Sequence, residues 1–257
     1  MPRVSVCIAT YNGFPFLRAQ LDSILSQVTE NDEVIICDDG STDSTGQLIS
    51  EYRDTRIRFY RNEVRLGHVQ NFSRAISLAS GDFIALSDQD DIWAKSRLDT
   101  MIKVLKPLST YSLVVGESTE IDEGGNVYRR PARGRELGRS PSNMFAYLVR
   151  IFLGRVKILG CTFLFRRELV PLILPIPAKV EAHDIWIAMN ACVFGRVAHC
   201  QESTLFRRIH YGNLTPPRRR GLMTILKSRS AYLFYLLLRL AKYSTRNLRR
   251  PVPVDSR

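Results

Sequence analysis

The stretch EVIICDDGSTDSTGQLISEY, residues 33–52, decides the fold. Its apolar run at 34–37 is typical of a buried β-strand, and the Asp-Asp-Gly sequence after it predicts a turn. Ser41, Thr42 and Asp43 are residue types that cap the N-termini of helices, so we expect a helix to begin there. The stretch therefore predicts a strand, an acidic turn and a helix in succession.

The same unit recurs on both sides of this stretch. Residues 4–10 (VSVCIAT) predict a strand, and residues 14–28 place apolar side chains at helical spacing. Residues 56–62 and 82–87 predict two more strands, separated by a helix at 68–80. Four strands alternating with helices predict an α/β fold with a mostly parallel sheet flanked by helices. Ligands of such sheets bind at the carboxyl ends of the strands.

The composition fits one large α/β domain with appendages. The chain has 257 residues, of which 45% are hydrophobic, and this is enough to bury a substantial core. Its five cysteines are scattered and lack CxxC spacing, which argues against a disulfide framework and against a zinc site. The N-terminus enters an apolar run without the charged lead of a secretory signal, so we expect a cytoplasmic location.

Polar and acidic residues follow three of the predicted strands. They occupy positions 10–13 (TYNG), 38–41 (DDGS) and 88–91 (DQDD). The turn after the first strand has neither the G-x-G-x-x-G of dinucleotide sites nor the G-x-x-x-x-G-K-[ST] of phosphate loops. Carboxylates do not hold a pyrophosphate directly, so this acidic rim predicts a hard divalent cation between carboxylate and phosphate oxygens.

Three motifs in register carry a family resemblance. VSVCIATYNG, EVIICDDGSTDST and GDFIALSDQDDIW resemble the family-two glycosyltransferases, over roughly residues 3–105. The resemblance implies the GT-A fold, a Rossmann-like arrangement of the predicted sheet. It also implies that a sugar is moved from a nucleoside diphosphate with inversion at the anomeric carbon, and that Mg²⁺ or Mn²⁺ is the cofactor.

The implied nucleotide site lies at the ends of the first two strands. The resemblance places Ala9, Thr10 and Tyr11 around the base and ribose. It assigns the hydrogen bond to the pyrimidine imide to Asp39 or Asp38. A plain turn role for Asp39 stays open, since Asx turns suit the sequence DDGS.

The implied metal site lies after the fourth strand. The resemblance places Asp88 at the ribose or in the metal shell and gives Asp90 the role of coordinating the cation. Arg65, or a polar residue near it, would close the nucleotide site. Asp91 precedes Ile92 and Trp93, and we expect it to cap a following helix.

The stretch HDIW at 183–186 implies the catalytic base. The apolar residues after it predict a helix that begins near Asp184 and presents this side chain to a cleft. Family-two enzymes carry at this point an Asp or Glu that removes the proton of the acceptor hydroxyl, so the resemblance makes Asp184 the base. His183 is the second choice, or binds acceptor or diphosphate. A simple N-cap role for Asp184 stays open.

The stretch FRRIHYGN at 206–213 resembles the R-x-H-x-x-N element of bacterial relatives. It implies that Arg208 meets the diphosphate and that His210 completes the metal shell. The alternative for His210 is an ordinary surface histidine.

The combination of ALSDQDDIW, GCTF, HDIW and the final R-x-H resembles the rhamnosyltransferase branch of these bacterial enzymes. The branch implies a dTDP- or UDP-sugar donor, with L-rhamnose as the candidate sugar. Its acceptor would be a lipid-linked glycan or lipopolysaccharide, in the assembly of O-antigen or a related surface polysaccharide. Ile185 and Arg207 depart from the branch, which usually has an aromatic residue and Tyr at these positions.

Positive charge is concentrated in the C-terminal tail. Residues 203–257 hold 13 of the 37 basic residues and only one, Asp255, of the 25 acidic residues. The apolar run AYLFYLLL is too short to cross a bilayer, so we expect an amphipathic helix that lies on the cytoplasmic face of the cell membrane. A helix that packs on the domain is the alternative. On a helix, one basic face would be formed by Arg239, Lys242, Arg246 and Arg249.

We expect a glycosyltransferase domain at 1–215, with a nucleotide-binding half at 1–107 and an acceptor-binding half at 108–215. A membrane-associating tail at 216–257 would follow it.

Two stretches of the second half predict local structure. Residues 117–140 predict a loop over the site, with arginines able to meet an acceptor phosphate. Residues 158–169 predict a strand around Gly160 that leads into a helix. Cys161 is expected to be a packing residue, since a buried thiol is unreactive.

Two other functions stay open at this point. A nucleotidyltransferase also pairs an acidic metal site with a nucleotide, but it usually has a basic loop after its first strand, and CIATYNG has no basic residue. A non-enzymatic anion- or RNA-binding protein would use the basic tail alone. We favour the glycosyltransferase and expect no nucleic-acid partner.

Overall fold

The structure is a computed structural model that describes residues 3–107, 109–127, 140–213 and 222–248. Its strands are β1 (Val4–Thr10), β2 (Glu33–Asp38), β3 (Ile57–Arg61), β4 (Phe83–Ser87), β5 (Ile92–Trp93), β6 (Tyr111–Ile121), β7 (Phe163–Arg166) and β8 (Arg196–Arg208). Its helices are α1 (Phe14–Leu25), α2 (Thr45–Glu51), α3 (His68–Leu78), α4 (Arg97–Leu105), α5 (Met144–Phe152), α6 (Val170–Ile173), α7 (His183–Phe194) and α8 (Leu222–Leu248). Two short 3₁₀ helices lie at Gly160–Thr162 and Arg167–Leu169.

The eight described strands form one sheet in the order β3-β2-β1-β4-β7-β6-β8-β5. Strands β1 to β4 are parallel to one another, as the alternation of strands and helices predicts. Strand β7 is antiparallel to β4 and to β6, so the second half of the sheet is mixed. The predicted α/β class, with a mostly parallel sheet in its N-terminal half and helices beside it, is confirmed.

Alternate residues of the central strands enter two different hydrophobic cores. On β1, Val6 and Ile8 pack on one face with Leu17 and Leu21 of α1. Cys7 lies between them in sequence and packs on the other face, in the core that contains Phe72 of α3. Successive side chains of a strand point to opposite faces, so a continuous apolar run is required where helices cover both faces.

Helix α2 begins later than its sequence predicts. Ser41 donates its hydroxyl and its backbone N–H to the carboxylate of Asp38, so it closes a turn and does not cap the helix. Asp43 accepts from the backbone N–H of Thr45, the first residue of the helix, at 3.0 Å. The cap-type residues of this segment are therefore used to build the loop after β2.

Two predictions for the second half are partly wrong. Residues 117–121 continue β6 along β8 and are not a loop; the arginines at 129–135 lie outside the described residues. The predicted strand around Gly160 lies three residues later, at Phe163–Arg166, where it pairs with both β4 and β6. The turn at Gly160–Thr162 brings the chain to the end of β4 first.

Helix α8 packs on the domain along one of its faces. Tyr232 and Leu236 are buried in the core beside α7. Arg239, predicted to lie on a lipid-facing surface, instead donates to the backbone oxygen of Pro175 at 2.6 Å and lies over the ring of Trp186. The predicted domain boundary at 215/216 lies outside the described residues. Among the described helices, α8 included, none combines the length and apolar character that crossing a bilayer requires.

Two adjacent leucines test the packing of α8. Leu236 is 4% exposed and Leu237 is 55% exposed. We expect Leu236→Ala to lower the free energy of unfolding by about 2–5 kcal/mol, because it leaves a cavity beneath the helix. Leu237→Ala is the matched control and should change it by no more than about 0.5 kcal/mol. Denaturant unfolding measures both, and equal effects would show that α8 does not pack through this face.

Candidate active site

The loops that follow β1 and β4 are joined by Gln89, the residue between the two aspartates of the D-x-D sequence. Its side-chain oxygen accepts from the hydroxyl of Thr10 at 2.7 Å and from the backbone N–H of Tyr11 at 2.8 Å. Its amide nitrogen donates to the backbone oxygen of Tyr11 at 3.1 Å. A Cβ on Gly13 would lie 2.7 Å from the Gln89 oxygen, so this close approach requires a glycine. We did not predict Gln89 from the sequence.

Asp38 and Asp39 have separate structural roles after β2. Asp38 closes the turn with Ser41. One oxygen of Asp39 accepts from the backbone N–H of Leu66 at 2.7 Å, and the other accepts from that of Gly67 at 2.8 Å. Asp39 thus fixes the loop between β3 and α3, and is more than a turn residue. The first of these oxygens also accepts from the side-chain nitrogen of Asn62 at 2.7 Å, so the predicted contact with a base imide, which stays a prediction, would fall to the other oxygen.

Tyr11 and Arg65 form the outer wall of the predicted nucleotide pocket. The guanidinium of Arg65 lies over the Tyr11 ring, 3.7 Å from its centroid, and its Nε is 4.0 Å from a carboxylate oxygen of Asp39. Ala9 is partly exposed beside them, whereas Thr10 is buried. The structure brings these residues together as predicted, and their role towards a nucleotide stays a prediction.

The loop after β4, residues 88–91, contains the three acidic side chains Asp88, Asp90 and Asp91, and we call it the acidic loop. Ligand atoms of Asp88, Asp91 and Cys161 lie within 4.8 Å of one another. Burial, followed by the neighbouring charges of Asp91 and Asp90, raises the pKa of Asp88 well above its usual value. Burial and the charge of Asp90 also raise the pKa of Asp91. The charge of Arg207 lowers both pKa values but offsets only part of the rise, so these carboxyls release their protons reluctantly.

Asp91 does not cap a helix, and this prediction is wrong. The residues after it form the short strand β5, and α4 begins only at Arg97. One oxygen of Asp91 accepts from the backbone N–H of Arg208 at 3.0 Å. The other is buried, with no hydrogen-bond partner in the described part of the chain. Pairing of Ile92 with Phe206 of β8 takes the place of the expected helix.

Asp90 lies beside His210, and their role as metal ligands stays a prediction. Its carboxylate oxygen lies 2.8 Å from His210 Nε2 and 3.4 Å from the side-chain nitrogen of Asn213. The His210 ring packs against Phe16, with centroids 4.7 Å apart. His210 is therefore held at the acidic loop and is not an ordinary surface histidine.

The guanidinium of Arg208 holds the acidic loop in place. It donates to the backbone oxygen of Asp90 at 3.0 Å and to those of Asp122 and Glu123 at 3.1 and 2.5 Å. The side chain is buried and lies over the ring of Phe16. Its contact with a diphosphate stays a prediction, but in this structure its donors serve the loop.

Asp184 stands in the first turn of α7, as predicted, and His183 is the first residue of that helix. The N-cap position belongs to Ala182. The ring of His183 is buried and stacked on Phe72, with centroids 4.1 Å apart. Burial, and to a smaller extent His68, lowers the pKa of His183 to about 3. His183 is buried whereas Asp184 is partly exposed, so Asp184 is the more accessible of the two to an acceptor hydroxyl, which favours it as the base.

Gly160 and Cys161 connect the acidic loop with the start of α7, where Asp184 lies. A Cβ on Gly160 would lie 2.4 Å from His183 Nε2 and 3.3 Å from the Asp184 Cβ. Cys161 is the next residue and contacts Asp88 and Asp91. Consecutive Cα atoms are only about 3.8 Å apart, so the start of α7 is adjacent to the acidic loop. The glycine within an apolar stretch was the available signal for this close approach.

Residues 5–172 match the family model described as "Glycosyl transferase family 2". The chain belongs to glycosyl transferase family 2. The family resemblance noted in the sequence is thus confirmed, and it supports a glycosyltransferase over the nucleotidyltransferase and RNA-binding alternatives.

Several relatives in this family are glycosyltransferases by name. "UDP-Glc:alpha-D-GlcNAc-diphosphoundecaprenol beta-1,3-glucosyltransferase WfgD" of Escherichia coli is 36% identical over 102 residues, which is 40% of this chain and 40% of WfgD. "Putative colanic acid biosynthesis glycosyl transferase WcaA" of Escherichia coli is 26% identical over 215 residues, or 83% of this chain and 75% of WcaA. This chain therefore spans about two fifths of the length of WfgD.

The fold is similar to that of a solved structure. The crystal structure of S. aureus TarS 1-349 in complex with UDP-GlcNAc superposes with a TM-score of 0.71, at 17% identity, over 90% of this chain and 66% of that one. This likeness confirms the predicted GT-A fold.

The donor atoms at the acidic loop fit a hard divalent cation. Asp88 and Asp91 offer carboxylate oxygens close to each other, whereas the predicted ligands Asp90 and His210 form a separate pair outside this group in the described residues. A cation here would compensate the charges that now raise the pKa of Asp88, and it would give the buried oxygen of Asp91 a partner. Burial raises the pKa of the Cys161 thiol, which keeps it protonated and unsuited as a ligand for such an ion.

Gln89 gives the first test of this site. Gln89→Ala removes three hydrogen bonds that position Thr10 and Tyr11, each worth about 1 kcal/mol. We expect KM for the nucleotide sugar to rise about tenfold or more. Gln47→Ala, on the exposed side of α2, is the control, and an effect of Gln89→Ala no larger than that of the control would refute the positioning role.

The buried histidine predicts a pH dependence of stability. The pKa of His183 is about 3 in the folded protein and roughly 6.5 in the unfolded chain. Between these values the unfolded chain binds more protons, so this residue lowers the free energy of unfolding as pH falls below about 6.5. Relative to His183→Leu, the wild type should lose about 2 kcal/mol between pH 7 and pH 5.

Denaturant unfolding of both proteins at the two pH values measures this difference. For each protein, the free energy of unfolding at pH 5 is subtracted from that at pH 7. A loss of stability that the substitution causes equally at both pH values therefore cancels. If the difference in free energy of unfolding between the wild type and His183→Leu is the same at pH 7 and pH 5, the fold does not keep His183 neutral.

Proposed function

We propose that this protein is an inverting, metal-dependent glycosyltransferase that moves a hexosyl residue from a nucleoside diphosphate to a lipid-linked acceptor. The observation that carries the proposal is the adjacency of the acidic loop and the start of α7, through Gly160 and Cys161. Asp184, which can remove a proton, is thus connected through two consecutive residues to Asp88 and Asp91, whose carboxylates can hold a cation.

The donor nucleotide would lie across the ends of β1, β2 and β4. In this proposal Ala9, Thr10 and Tyr11 surround the base and ribose, and Asp39 or Asp38 accepts from the base imide. The cation–π contact of Arg65 with Tyr11 supports a pocket that closes over a planar base.

Asp90 and His210 would hold the cation, with Asp88 at the ribose or in the metal shell. Either Mg²⁺ or Mn²⁺ suits this donor set. When bound, the cation supplies positive charge to the diphosphate as it leaves. The protein contributes rigidity: Arg208 fixes the backbone of Asp90, and Asn213 contacts its carboxylate.

Asp184 would act as the general base. Its carboxylate takes the proton of the acceptor hydroxyl, whose oxygen forms a bond to the anomeric carbon while the bond to the diphosphate breaks on the opposite face. One displacement of this kind inverts the anomeric carbon. His183 supports the arrangement by packing, because its buried, neutral ring fills the space between Phe72 and Gly160.

The named relatives favour UDP-glucose as the donor. WfgD is described as using UDP-Glc and an α-D-GlcNAc-diphosphoundecaprenol acceptor, and TarS was crystallised with UDP-GlcNAc. We therefore rank a UDP-hexose above a dTDP-linked donor, with L-rhamnose as the second candidate sugar. A lipid-linked acceptor would place the protein at the cytoplasmic face of the cell membrane, with α8 at its surface, in the assembly of a surface polysaccharide.

Two carboxamide variants test the assigned roles. With UDP-glucose and GlcNAc-diphosphoundecaprenol, Asp184→Asn should lower kcat by about 10²–10⁴-fold, because the proton acceptor is lost. It should still bind UDP-glucose. Asp90→Asn should raise the Mn²⁺ concentration needed for half-maximal rate, because one ligand of the cation is weakened.

The control is Asp99→Asn, which changes an exposed carboxylate in the first turn of α4. It should leave kcat and the Mn²⁺ requirement unchanged. Turnover of Asp184→Asn within tenfold of the wild type would refute the role of Asp184 as the base.

A further inference from the structure

Helix α5 carries an exposed apolar stripe. Phe145 is 74% exposed, and Val149 and Leu153 follow at intervals of four residues with 38% and 52% exposed. Side chains four apart lie on one face of a helix. The opposite face is buried, since Tyr147 and Ile151 pack in the core beside α7. The stripe is therefore a second face of α5, separate from the one that holds the helix in the fold.

Helix α8 presents a similar face. Ser228, Tyr232 and Leu236 are buried at intervals of four, which defines the side that faces the domain. The opposite side is apolar and exposed, at Met223, Leu226, Leu233, Phe234, Leu237 and Leu238.

The two helices are neighbours in the fold. The guanidinium of Arg229 on α8 lies 5.8 Å from the ring centroid of Phe152 on α5. A Cβ on Gly154, just beyond α5, would lie 3.2 Å from a terminal nitrogen of the same guanidinium. Segments that are about 75 residues apart in the chain therefore contribute to one region of the surface.

The charged side chains of α5, α8 and the residues that flank α5 have one sign. Residues 140–157 and 222–248 contain no aspartate or glutamate. They do contain exposed basic residues, Arg150 and Arg155 near the end of α5 and Lys227 and Lys242 on α8. Apolar side chains bordered by basic ones are typical of surfaces that lie on anionic lipid.

A second copy of the chain fits this surface poorly. A two-fold interface places the same patch on both partners, so it would bring only like charges together at its rim. An anionic bilayer offers the complementary charge and an apolar interior for the exposed side chains.

We propose that α5 and α8 together form one docking surface for an anionic bilayer. The inference deepens the proposed function, on which it rests for the presence of a membrane-bound acceptor. It adds α5, which the basic tail alone does not include. Tyr232 of α8 connects the surface to the site: its hydroxyl accepts from the backbone N–H of Ala182 at 3.0 Å and donates to the oxygen of the same residue at 3.2 Å. Ala182 precedes α7, so the docked helix fixes the position of Asp184 above the lipid.

Vesicle co-sedimentation of the full chain tests the proposal. The probes are vesicles of phosphatidylglycerol and phosphatidylcholine, and vesicles of phosphatidylcholine alone. We expect stronger binding to the anionic vesicles. Phe145→Glu on α5 and Leu237→Glu on α8 should each weaken that binding about tenfold or more, because each withdraws a large apolar group and adds a repelled charge. Phe59→Glu, at an exposed phenylalanine of β3, is the matched control and should have no effect.

Three results would overturn the proposal. Binding unchanged by Phe145→Glu but lost with Leu237→Glu would remove α5 from the surface. Equal binding to both vesicle types would refute the role of charge. A chain that is dimeric in solution and becomes monomeric with Phe145→Glu, without a change in vesicle binding, would make the surface a protein interface. Vesicle binding needs no substrate, so failure of the proposed glycosyl transfer leaves this test intact.

Discussion

Repulsion among the carboxylates after β4 is the constraint on which the site depends. Asp88, Asp90 and Asp91 lie within four residues, and burial, followed by the charges of Asp91 and Asp90, raises the pKa of Asp88. A protein does not gain stability from this arrangement, since like charges brought together away from water disfavour ionisation. The surrounding contacts hold the carboxylates in place in spite of that cost, and a cation would offset it.

The remainder of the fold supplies those contacts from distant segments. Arg208 reaches back from β8 to fix the backbone of Asp90, and Gln89 ties the same loop to β1. The turn at Gly160 and Cys161 then brings the start of α7 against it. The mixed second half of the sheet is therefore needed at the site. The parallel strands position the carboxylates, but Arg208 and the candidate base Asp184 come from the second half.

The sequence predicted what depends on local periodicity and missed what depends on long-range contact. Strands β1 to β4 and the polar loops after them follow from short apolar runs that alternate with helical segments, and Asp184 was expected at a helix start. The start of α2 was misplaced because Ser41 bonds to Asp38, and Asp91 was misassigned because its partner, Arg208, is over a hundred residues away. Gln89 gives no signal in the sequence and Gly160 gives only that of a glycine within an apolar stretch, because the role of each depends on contacts with distant residues.

The central claim is that the acidic loop holds a nucleotide sugar through a divalent cation. The most direct measurement is the shift in melting temperature on adding UDP-glucose, UDP-GlcNAc and a dTDP-sugar, each with and without Mn²⁺. We predict stabilisation by a UDP-sugar that requires Mn²⁺ and that Asp90→Asn weakens. Absence of stabilisation by any of the sugars with Mn²⁺ present, or equal stabilisation without the metal, would contradict this account.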